Sequence, residues 1–244
     1  MVPASESPAP APAPEAASQR AISLREAETK CMAFFDEISK TLVRPNVLES
    51  VLSKEILALG AEQHGVKVHW HKRIVRSGPN TLSPFDENPP DRVIQPDDIL
   101  VVDLGPVFEF SDKWEADVGR TFVFGDDAAK IRLRDNLEPA WKAVKAQFDA
   151  RAEEMTGEEL YDIAVAEATK RGFLWGADIA GHLVGHFPHE RIPKDSLTLY
   201  IAKGNSTKML RPGKDGYVRQ WILEIHLRDP SGTFGGFYEQ LLTC

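Results

Sequence analysis

The sequence predicts an α+β domain on three observations. Stretches with apolar residues at helical spacing precede stretches that alternate like strands. That order, two helices and then strands, occurs twice along the chain. Two strongly apolar strand segments are also joined by a short polar turn, which is a hairpin pattern. No sequence repeat at a fixed period accompanies the duplication of elements.

The elements follow in order. Residues 1–20, MVPASESPAPAPAPEAASQR, alternate proline with alanine, so they are expected to form a disordered, semi-rigid, solvated tail, with the domain proper spanning 21–244. No basic segment followed by an apolar one marks a secretory signal. Between 22 and 43, Leu24, Met32, Phe35, Ile38 and Leu42 recur at helical spacing, and Pro45 ends that helix. Leu48, Val51, Leu52, Ile56 and Leu59 give a second helical face, closing near Gly65. Residues 66–75 alternate as one strand, in which His69 and His71 read as ordinary strand residues. The stretch 76–98 is rich in Pro, Asn, Asp and Ser and reads as loop. Residues 99–110 and 114–124 form the hairpin across Ser111-Asp112-Lys113. Leu137, Trp141, Val144 and Phe148 mark a third helix, and Thr156 with Glu159 forms a capping box that opens a fourth. Strands return over 217–227 and 237–243, the second after a turn at Gly235-Gly236.

Composition narrows the function. The 244 residues hold 29 Lys and Arg against 37 Asp and Glu, a net charge of −8, which disfavours a nucleic-acid partner because phosphate affinity comes from clustered cations. Two cysteines, Cys31 and Cys244, cannot build a disulfide framework and fit a reducing, cytoplasmic compartment. No run approaches the ~20 apolar residues of a membrane span.

The informative feature is where the acids sit. Asp103 in VVDL, Glu224 in WILEIHL and Glu239 in FYEQLL each fall inside an apolar strand pattern. Burying an unpaired carboxylate costs several kcal/mol or more, so each needs a strong partner. A salt bridge or an exposed edge explains any one alone. Three together, with few basic residues nearby, point to a metal centre. Asp117 lies on the second arm of the hairpin that starts at Asp103, so an antiparallel ladder presents both carboxylates to a common point. Four carboxylates and one neutral imidazole balance two divalent cations and leave a bridging hydroxide as nucleophile. His182, His186 and His189 cluster in GHLVGHFPHE. The i, i+4 pair matches a helical zinc site, but Gly185, Pro188 and the missing glutamate base argue against it. A loop that brings one histidine to metal and another to substrate fits better. His226, two residues from Glu224, points the same way on its strand and is a candidate substrate contact.

These residues resemble the creatinase/aminopeptidase metallopeptidase family, the pita-bread fold that includes methionine aminopeptidase, aminopeptidase P and prolidase. The likeness runs over 22–244: VVD103LGP, Asp117 before GRTFVFG, GH182xxG, then Glu224 and Glu239 on late strands, with SGPN80 and DRxIxxxD98 before the first Asp. It implies a curved, mostly antiparallel sheet covered by helices on one face, with pseudo-two-fold symmetry. It implies a dinuclear site in which Asp103 chelates one ion, Asp117 and Glu239 bridge both, and His182 and Glu224 complete the other. It further implies that Glu224 shuttles the proton to the departing nitrogen and that His189 stabilises the oxyanion. The ions would be Mn²⁺ foremost, with Co²⁺, Fe²⁺ or Zn²⁺ also suited to one nitrogen among oxygens.

Two departures from the family stand out. Phe85 holds the place of its substrate-facing histidine, and phenylalanine cannot donate a hydrogen bond; His69 or His71 is the alternative that could compensate, though both read first as strand residues. The larger members also have an extra N-terminal domain that walls the site, so here the pocket is open or is closed by a second subunit, as in a homodimer. The leading expectation is a hydrolase cleaving a peptide C–N bond, aminopeptidase or Xaa-Pro peptidase in type, with no nucleic-acid or membrane partner. The alternatives are a non-peptidase acting on a small amide or amidine, which Phe85 favours, and a catalytically silent binding module, which the complete ligand set disfavours.

Overall fold

A computed structural model describes residues 14–109, 113–186, 197–213 and 215–244, with side chains described from Gln19. Helix α1 (Pro14–Thr41) is followed by α2 (Glu49–Gln63), β1 (Val66–His69), β2 (Ile74–Ser77) and a 3₁₀ turn at Gly78–Leu82. Strands β3 (Ile99–Leu104), β4 (Pro106–Phe108) and β5 (Val118–Val123) lead to α3 (Ala128–Ala150) and α4 (Gly157–Lys170). Then come β6 (Leu174–Trp175), β7 (Ile179–Val184), β8 (Tyr200–Ala202), β9 (Gln220–Arg228) and β10 (Gly235–Leu241). The expected α+β domain and its duplicated order of elements are both present.

The main sheet runs β2-β3-β5-β10-β9-β7-β8, with β6 also on β9 and every pairing antiparallel. Strand alternation then sorts side chains into two sets. On β3, Leu100, Val102 and Leu104 join the core built with α1 and α2, including Phe34, Ile38, Leu52 and Ile56. On β9, Trp221, Leu223, Ile225 and Leu227 join the core built with α3 and α4, including Leu137, Trp141 and Leu160. The other parity, Val101 and Asp103 on β3 with Glu224 and His226 on β9, faces a cavity. Each helix pair thus covers one end of the sheet and leaves its opposite parity for chemistry.

Four sequence expectations need correction. Helix α1 begins at Pro14, so residues 14–20 are helical and do not belong to a tail. Proline suits a first helical turn, where its missing N–H is not needed, and Glu15-Ala-Ala favours continuation. Arg20 is docked: it pairs with Asp215 at 2.8 Å and its guanidinium lies over Trp114 and Tyr217. Residues 1–13 lie outside the described residues. The single strand expected over 66–75 is two, because β1 pairs with β4 and β2 with β3, with a turn at 70–73 between them. The hairpin divides as well: β3 pairs with β5 as expected, but β4 leaves the ladder to pair with β1. Its tip, 110–112, lies outside the described residues. Last, Gly235 and Gly236 lie within β10, not in a turn. A Cβ at Gly236 would run into Leu133 of α3, so the glycine is there for close packing. The capping box at Thr156 and Glu159 is present as read. No described helix is long and apolar enough to cross a membrane.

Candidate metal centre

Pairing register builds the site from a row across four neighbouring strands. Asp103 on β3 lies opposite Gly119 on β5, Gly119 opposite Glu239 on β10, and Glu239 opposite Glu224 on β9. Neighbouring strands are ~4.8 Å apart, so the row gathers three carboxylates over the width of the sheet. Gly119 lacks a side chain, and the Phe237 ring lies where its Cβ would be. Asp117 precedes Gly119 by two residues, has the same parity, and joins the group from the end of β5.

His182 comes from the middle of β7, next to β9. The sequence reading placed it on a loop; here it is on a strand whose register shifts between Ile179 and His182. Gly181, at φ +138°, makes that shift, and a Cβ there would collide with the Ile222 carbonyl. The approach to Asp117 is tied to β7 by Glu115 N–H donating to the Gly185 carbonyl at 3.0 Å, and Gly185 N–H donating back to the Glu115 carboxylate. Those bonds fix Asp117 relative to His182. His182 Nε2 lies 3.1 Å from Asp117, 3.5 Å from Glu239 and 3.6 Å from Glu224. Its Nδ1 donates to the Leu183 carbonyl at 2.8 Å, an acceptor only, which aims Nε2 at the acids.

All four carboxylates are buried, with exposures of 8% for Asp103, 2% for Asp117, 5% for Glu224 and 3% for Glu239. Among the described residues their ion-pair partners are histidines alone. Asp103 Oδ1 and Glu239 Oε2 are buried without any hydrogen-bond partner. Such a site is costly unless something cationic joins it. The donors fit divalent cations: Asp117, His182 and Glu239 offer atoms all within 4.8 Å of one another, as do His71, Asp103 and Asp117.

Electrostatics agree. Desolvation, added to repulsion from neighbouring acids, outweighs His71 and raises the Asp103 carboxyl to about 7. Burial, then Asp117 and Asp103, push Glu239 well above the carboxylate range. Burial would raise Asp117 too, but His71 and His182 hold it ionised and below its usual value. Burial would keep His71 neutral, yet Asp103 and Asp117 raise it to about 9; His182 is raised likewise, by hydrogen bonds to Asp117 and Glu239. Without cations the site therefore retains protons near neutral pH, and cations must displace them.

The sequence-derived residues fare differently. Asp103, Asp117, His182, Glu224 and Glu239 converge. His226 does face the cavity, where its Nε2 lies 2.6 Å from Glu224 Oε2 and its ring packs on Phe237. His189 lies outside the described residues. His71, read as an ordinary strand residue, belongs to the site: the turn at 70–73 breaks the alternation and swings it to 3.1 Å from Asp117 and 3.6 Å from Asp103. His69 keeps its ordinary role, with burial lowering it to about 3 so that it stays neutral. Phe85 is 54% exposed at the mouth of the cavity, its ring 5.8 Å from that of His71. The cavity holds about 1220 Å³, with Trp70, Trp175, Phe85 and Phe237 among its walls.

The chain is similar in fold to several solved enzymes. These include a dipeptidase from Pyrococcus horikoshii OT3 (TM-score 0.69, 22% identity, 93% of this chain and 60% of that one) and dipeptidase PepE from Mycobacterium ulcerans (0.65, 23%, 92% and 55%). An X-Pro aminopeptidase from Thermotoga maritima MSB8 is a third (0.67, 19%, 93% and 61%). The chain spans about three-fifths of the length of these structures, and at such identities the likeness shows the fold. No curated protein matches the sequence. Glu224 and Glu239 lie past the segment matched by the family's sequence profile, and their placement rests on the cross-strand row. That profile, of metallopeptidase family M24, matches residues 23–214, most of the chain, and the protein belongs to this family.

Proposed function

We propose that the chain is a dinuclear-metal hydrolase that cleaves the C–N bond of a short peptide, aminopeptidase or Xaa-Pro peptidase in type. The observation that carries this reading is the buried group of four carboxylates whose ion-pair partners, among the described residues, are imidazoles and never Lys or Arg. The dipeptidase and X-Pro aminopeptidase neighbours support the substrate class. Asp103 would hold one ion, Asp117 and Glu239 both, and His182 and Glu224 the other. When bound, the cations supply an activated water at neutral pH and polarise the scissile carbonyl.

The chain's own groups do the rest. Glu224 moves a proton from the attacking water to the departing nitrogen, and the 2.6 Å bond from His226 fixes which carboxylate oxygen is engaged. His189 is assigned to the oxyanion by resemblance. The buried sheet floor keeps bulk solvent from the acids, while the apolar walls of the cavity accept side chains.

A second reading, a small amide or amidine as substrate, is favoured by Phe85, which offers packing where the family offers a hydrogen bond. The test is a panel of di- and tripeptides, Xaa-Pro sequences included, with Mn²⁺ or Co²⁺ present. The expected result is release of the N-terminal amino acid. No release from any peptide, with two ions bound, would leave the small-molecule reading in its place.

A further inference from the structure

The five-ligand arrangement has no role for His71, yet His71 mirrors the ligand His182. Two groups of donors can each hold an ion: His71, Asp103 and Asp117 on one side, and Asp117, His182 and Glu239 on the other. They share Asp117, and each contains one imidazole. Both imidazoles are anchored alike, through Nδ1 donating to the carbonyl of the next residue: Lys72 at 2.7 Å for His71, Leu183 at 2.8 Å for His182. A carbonyl only accepts, so in each ring Nε2 is the atom left to face the acids. Trp70 stands edge-on to both rings, at 4.5 Å and 5.3 Å between centroids.

The surroundings hold His71 in this pose. Trp70 donates from its backbone N–H to the Gly105 carbonyl and from its indole to the Ala116 carbonyl, pinning the turn against the segment that carries Asp103 and Asp117. A Cβ at Gly105 would occupy the space of the His71 ring, so the glycine two residues after Asp103 makes the cradle. Phe85 closes the outer side. Donors bound to one ion at ~2.1 Å stand about 3.0–3.4 Å apart, for right-angle to tetrahedral geometry. His71 Nε2 lies 3.1 Å from Asp117 and 3.6 Å from Asp103.

We propose that His71 Nε2 is a sixth protein ligand of the centre, bound to the ion on the Asp103 side. Each ion then has one imidazole among carboxylates. The Asp103-side ion, which would otherwise have oxygen donors alone, gains a nitrogen that favours Co²⁺ and Zn²⁺ over Mn²⁺. This rests on the dinuclear reading above.

X-ray absorption at the cobalt edge of the full chain loaded with Co²⁺ counts imidazoles per ion from their outer-shell scattering. The wild type is expected to show two ions with an average of one imidazole each. His71→Gln, its fold checked by circular dichroism, is expected to fall to an average of half an imidazole and to bind one ion at least about tenfold more weakly. Two ions with half an imidazole each in the wild type would overturn the role of His71 and leave the dinuclear centre standing. So would an imidazole count or an affinity that His71→Gln does not change. A wild type that takes up no cobalt would overturn the dinuclear reading itself.

Discussion

Asp117→Ala is expected to bind at most one ion tightly and to lose about 10³-fold or more in kcat/KM, a loss of ~4 kcal/mol of transition-state stabilisation. Asp117 is common to both donor groups, and His71 and His182 hold its carboxyl below its ordinary value while burial raises those of Asp103 and Glu239. On the proposed assignment, removing it would take an anchor from both ions at once. It also leaves His71 and His182 without the carboxylate that each approaches to 3.1 Å. Asp117→Asn keeps the shape and removes the charge, so both variants are expected to fail alike if charge is the cause. Metal content by elemental analysis, with kcat/KM on the same preparation, is the measurement. Wild-type metal content and rate in both variants would show that Asp117 is not the bridge.

Gly181→Ala is expected to cost about 3 kcal/mol, or roughly 10 °C in Tm for a chain of this size. At φ +138° any Cβ is strained, and this one would also meet the Ile222 carbonyl on the adjoining strand. The collision lies one residue from His182, so relief must separate β7 from β9 and draw the imidazole away from the acids. Metal affinity should therefore fall together with Tm. Gly232→Ala separates the two causes: its φ is +70° but nothing stands within 4 Å, so only the backbone cost of about 1 kcal/mol is expected, with metal affinity unchanged. Thermal unfolding and metal titration of the pair decide it. A Gly181→Ala protein as stable as the Gly232→Ala protein would contradict the bulge as the device that aims His182.

What could be read from the sequence follows from the cost of burial. A carboxylate in an apolar strand is expensive, so Asp103, Glu224 and Glu239 stood out against their neighbours, and parity fixed which way they face. Asp117 is legible from the hairpin that sets it across from Asp103, and His182 from the histidine cluster, with the family resemblance assigning each its place among the ligands. The residues that pattern could not place are those whose position depends on turns. A single strand over 66–75 keeps His69 and His71 equivalent; the turn at 70–73, pinned by Trp70, leaves one a neutral, half-buried strand residue and makes the other a neighbour of two aspartates. Leu174–Trp175 and Tyr200–Ala202 are too short to alternate visibly, and they are strands because β9 and β7 present edges to them. Gly235 and Gly236 read as a turn because local composition cannot show that α3 presses on β10. The start of α1 is hidden by proline, which disfavours a helix interior but suits the first turn, where Pro14 stands.

Calorimetric titration of the metal-free protein with Mn²⁺, repeated between about pH 6 and pH 8 in buffers of different ionisation heat, tests the centre most directly. Asp103 is raised to about 7 and His71 to about 9, with Glu239 and His182 raised as well, so cations compete with protons there. The expected result is two ions per chain, proton release on binding, and affinity that rises with pH through about 7. No uptake, or uptake that neither releases protons nor changes with pH, would mean that the buried acids do not gather around cations.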